Sequence, residues 1–125
     1  FIPPSFGSVI RILGPDLEQK SIKLKQVTRS SHPTIDGYIA FIRQCLKDGL
    51  NPILSREIYM NGQHRGWHMI TVLEEKREAF LIHDVADGSQ RVITENELRG
   101  GVVDSLGREL RMHRDFDTLL VVTSS

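Results

Sequence analysis

Cysteine is almost missing from this chain: Cys45 is the only one in 125 residues. A lone thiol excludes an internal disulfide framework and any metal cluster built on cysteines. It fits a reducing, cytoplasmic setting better than a secreted one. Charge of one sign is not in excess either, since 16 Lys and Arg balance 16 Asp and Glu. That balance argues against the broad basic footprint of a nucleic-acid binder or of a polybasic membrane surface. No apolar run approaches the ~20 residues that would insert into a bilayer, and no repeat, low-complexity tract or internal linker interrupts the chain.

What is present reads as one globular domain over residues 1–125, at 39% hydrophobic and 26% charged. Because the chain opens at Phe1 without a signal-peptide pattern, a fragment or processed part of a longer protein is expected. Residues 1–7, with Pro3 and Pro4, read as an extended arm.

The short β-branched run Val9–Leu13, closed by Gly14 and Pro15, predicts a strand, and alternation over Ser21–Thr28 predicts another, half-buried. From Thr34 to Asp48 the residues Ile35, Tyr38, Ile39, Ile42, Cys45 and Leu46 recur at spacings of three and four. That stripe predicts an amphipathic helix, capped at Ser31 or Thr34 and stopped by Gly49. Three strands follow at Pro52–Ile58, Trp67–Leu73 and Ala79–Val85, the first two joined by a polar loop over 61–66. Arg91–Ile93 extends the pattern, Thr94–Leu98 begins a short capped helix, and Thr118–Thr123 is a final strand. Ser105–Asp117 has no readable period. The sum is an α+β domain: an antiparallel sheet packed against one main helix.

One hairpin carries the functional argument. If its turn centres on Lys76, Val72 faces Phe80, Ile70 faces Ile82 and His68 faces Asp84. All six side chains then share one sheet face, with the polar pair at its open end. A carboxylate beside a histidine fixes the imidazole tautomer and favours its protonated form, so a lowered Asp84 and a raised His68 pKa are expected. The pair is either a solvated cross-strand contact or part of a triad that lacks only its nucleophile.

The segments Leu46–Leu54, Gly66–Val72 and Phe80–Asp84 resemble the C-terminal half of papain-like cysteine peptidases, most closely the C39-like branch. The likeness spans about Ile39 to Leu98, and bacterial transglutaminase-like and toxin deamidase domains share its His-strand-Asp order. It implies a papain-like half-barrel in which His68 is the general base and Asp84 its orienting acid. It also implies a peptide or protein substrate. The family's nucleophilic cysteine, however, opens a helix well before the histidine strand, and no cysteine precedes Cys45. Cys45 lies in the last turn of its helix, where the dipole disfavours a thiolate. Ser31, just before that helix, is a position where a serine nucleophile or a replacement for the cysteine could stand, though an ordinary capping turn explains it as well.

Two functions follow as expectations. One is a thiol peptidase or amidase-type domain whose nucleophile is missing, replaced or held by another part of the same parent protein. The other is a catalytically inactive peptide-binding module. No cofactor or metal is expected. His64 and His68 are four apart, but Gly62 and Gly66 break any helix there, and Gly88, Gly100 and Gly101 lack a phosphate-loop context.

Overall fold

The computed structural model describes residues 6–123. In chain order the elements are α1 (Phe6–Glu18), β1 (Ile22–Val27), α2 (Ile35–Lys47), β2 (Ile53–Met60), β3 (Gln63–Lys76) and β4 (Ala79–Asp84). They continue with β5 (Gln90–Thr94), α3 (Glu95–Gly100), β6 (Val102–Val103), β7 (Glu109–Met112) and β8 (Thr118–Thr123). All the strand pairings are antiparallel, in the path β1-β8-β2-β3-β4-β5. The domain is α+β, as expected from the sequence.

The sheet forks at β2. Its first residues, Ile53 and Leu54, pair with β8, and Arg56 to Tyr59 pair with β7. Helix α2, capped by the Thr34 side chain on the Gly37 N–H, lays Tyr38, Ile39 and Ile42 on the face made by Leu54, Ile70, Val72, Phe80 and Ile82. Each of these side chains is 0–4% exposed, so burial of this face supplies the main apolar stabilisation.

Three expectations fail. Val9–Leu13 is helical, within α1, because Phe6, Ile10, Gly14 and Leu17 fall on one inward stripe that a five-residue window does not reveal. Helix α1 also takes in Phe6 and Gly7 of the expected arm, whose residues 1–5 lie outside the described residues. The polar loop over 61–66 contracts to the two-residue turn Asn61-Gly62, both with positive φ, so β3 begins at Gln63. The unreadable stretch over 105–117 contains β7, a short strand held by β2 and β6.

The β3–β4 register also differs from the expected one. Val72 pairs with Ile82 and Ile70 with Asp84, a slip of two residues, and the turn is Arg77-Glu78 with Glu78 at φ 56°. Leu73 is bulged out of the ladder, between Val72–Ile82 and Glu74–Leu81. Without that bulge, the same two-residue turn would send Leu73, Thr71 and Met69 inward in place of Val72, Ile70 and His68. Deleting Leu73 should therefore regularise the hairpin and leave the fold intact. A loss of about 1–2 kcal/mol is expected, from the half-buried side chain alone. A urea titration checks it, and loss of a cooperative transition would refute this account of the bulge.

Candidate functional site

A slip of two preserves the sheet face, so His68 and Asp84 still meet, now diagonally. His68 Nε2 lies 2.9 Å from both Asp84 carboxylate oxygens, and both residues are buried. Directly across from His68 on β2 stands Arg56, on the same face as Leu54. Its Nη2 is 3.1 Å from His68 Nδ1. A guanidinium can only donate, so Nδ1 must accept and the ring proton sits on Nε2, donated to Asp84. The imidazole is therefore neutral, with both nitrogens engaged.

Asp84 accepts further hydrogen bonds from Arg91 Nη1 at 2.9 Å and from the Ala86 backbone N–H at 3.0 Å. Burial raises its pKa, but the donors Arg91, His68 and Ala86 together bring it down to about 2. His68 moves opposite to the sequence expectation. Burial, reinforced by the charge of Arg56, lowers its pKa in spite of Asp84. The expected imidazolium is corrected to a neutral ring, because its other nitrogen, Nδ1, meets the buried cation Arg56.

The site opens into a cavity of about 450 Å³ between the end of the sheet, α3 and the β6–β7 hairpin. Arg56 forms part of its lining and is only 1% exposed; its Nε and Nη1 meet no acceptor among the described residues. Burial and the nearby Arg91 lower its pKa to about 10, which leaves it charged at neutral pH. Across the cavity, Arg108 Nε is held by Asp104 Oδ2 at 2.8 Å.

Ser31 and Cys45 are not brought to this site. Ser31 is exposed in the turn before α2 and does not line the cavity. Cys45 packs with Val27 and Leu120 in a separate apolar cluster, and burial, then Asp48, pushes its thiol pKa up. His64 stands edge-on to Tyr59 and Trp67, with Nε2 3.3 Å from Glu57. Among the described residues no three His, Cys, Asp or Glu side chains converge as a metal site would require.

Sequence reasoning missed Arg56, Arg91 and Arg108. Arg56 did carry a signal: alternation from Leu54 to Ile58 places it on the inward face of a central strand, where a charge needs a reason.

Site and topology define an antiparallel α+β domain with a buried Arg56-His68-Asp84 chain, closed by the exposed Arg91, at one end of its sheet. No family model, curated protein or solved structure matches the chain.

Proposed function

We propose that this domain is a peptide-recognition module on a papain-like, C39-like half-barrel, in which His68 and Asp84 organise a binding cleft without performing hydrolysis. One observation carries the reading. The nitrogen that would take a proton from a nucleophile, Nδ1, is bonded to Arg56, while Nε2 is committed to Asp84. A general base needs a free lone pair within reach of the proton it abstracts. The positions of Ser31 and Cys45 point the same way.

A second reading, the thiol peptidase or amidase, is favoured by the His68–Asp84 bond itself, which is the geometry that orients a catalytic imidazole. It requires a thiol from outside the described residues and a turn of Arg56 away from Nδ1.

Selection from a library of peptides, each present with a free and with an amidated C-terminus, followed by mass spectrometry, separates the two. Recognition predicts peptides that are enriched and recovered intact. Cleaved products whose formation is lost in Asp84→Asn would establish the hydrolase, and failure to enrich any peptide would remove the recognition reading.

A further inference from the structure

The cavity beside His68 contains a cation with no carboxylate bonded to it. Arg56 is buried, and its one hydrogen-bond partner is a neutral imidazole. Three N–H groups, one on Nε and two on Nη1, have no acceptor among the described residues. A buried guanidinium left in this state is costly unless something completes it.

The carboxylates around it are otherwise engaged. Asp84 holds His68 and Arg91, Asp104 holds Arg108, and Asp87 accepts from Ser89. Glu97 on α3 faces the same cavity and acts on Arg56 through its charge, without a hydrogen bond to it. Apart from Ser105, the remaining wall is apolar, formed by Val102, Leu106 and Leu110, and Leu106 is 68% exposed at the rim.

We propose that this cavity takes the free carboxylate of a peptide C-terminus whose last residue is apolar. Arg56, whose Nε and Nη1 lie sealed in the cavity wall, turns them outward to supply the donors for the carboxylate, and Val102, Leu106 and Leu110 receive the side chain. Glu97 accepts from the terminal residue's own N–H and disfavours anions of higher charge, such as phosphate. Arg91 and Arg108 are exposed enough at their tips to turn aside as the carboxylate enters. This inference rests on the recognition reading and names the chemical group recognised.

The test uses the whole 125-residue chain, labelled with 15N, and three probes: N-acetyl-leucine, its amide and inorganic phosphate. The expected result is a saturable shift of the Arg56 Nε–H resonance with the acid, binding about tenfold or more tighter than the amide. Arg56→Met should abolish that preference while keeping a dispersed spectrum. Should that variant fail to fold, Arg56→Lys must show a weakened but remaining preference for the acid. Equal binding of acid and amide would overturn the carboxylate inference and leave peptide recognition standing. Phosphate binding as tightly as the acid would reduce the site to a general anion site and overturn it too. So would an unmoved Arg56 signal, which means that water alone completes the guanidinium. The peptide library above decides the recognition reading independently, since its members are present both with and without a free carboxylate.

Discussion

Asp84→Ala is expected to lower folding stability by about 2–3 kcal/mol, the upper part of the range for leaving a buried donor without its acceptor. Three donors lose their acceptor together: His68 Nε2, Arg91 Nη1 and the Ala86 N–H. Arg91 can turn to solvent, because its side chain is 40% exposed. His68 and Arg56 cannot, being 6% and 1% exposed. The change therefore leaves a buried imidazole N–H unpaired beside a buried guanidinium that has lost its nearest favourable charge. Asp84→Asn keeps one acceptor oxygen and should cost less, about 1–2 kcal/mol. Urea unfolding of the three proteins measures both steps. A loss below about 1 kcal/mol for the alanine variant would mean a solvated surface pair and would contradict the burial described here.

The part of this site legible in the sequence was the part that depends on parity. His68 and Asp84 share a face under any register differing by an even number of residues, so the wrong turn still gave the right pair. The turn itself was not legible. Glu74 to Glu78 offers no glycine or proline to fix it, and a bulge at Leu73 leaves no mark in an apolar run. Helix α2 was readable because its stripe runs for more than three turns, whereas Val9–Leu13 is too short for helix and strand periods to differ. Strand β7 is hidden because Glu109-Leu110-Arg111-Met112 alternates over only four residues, too few to show a period, and its place is set by pairing with β2.

The arginines escaped for a different reason. A charged side chain is ordinarily solvated, which holds for the Glu74–Glu78 turn but not for Arg56. The charge of Arg56 reversed the predicted direction of the His68 shift. A pair judged in isolation favours the imidazolium; the same pair backed by a buried cation favours the neutral ring. The proposed function turns on that difference, since a ring bonded at both nitrogens has no lone pair for a nucleophile's proton while a free Nδ1 could accept one.

Acid titration of stability tests that point directly, and the expected profile has two phases. The folded His68 pKa lies below the ordinary value of 6.5, so the unfolded chain binds the proton more readily. Stability from this residue is thus complete above about pH 6.5 and is lost as pH falls from there towards the folded value. Asp84, at about 2 when folded against 3.8 ordinarily, contributes stability that is complete above about pH 4 and is lost as pH falls towards 2. That second contribution is about 2 kcal/mol. Glu57, buried and held by Arg114, is lowered as well and adds loss in the same lower range. Urea unfolding at pH 7, 5.5, 4 and 3 should show both phases in the wild type. In His68→Gln the decline above pH 5 should shrink while the decline below pH 4 remains. If the wild type instead gains stability from pH 7 to 5 relative to His68→Gln, the imidazole is protonated in the fold. Arg56 would then not be bonded to Nδ1, and the hydrolase reading would replace the recognition module.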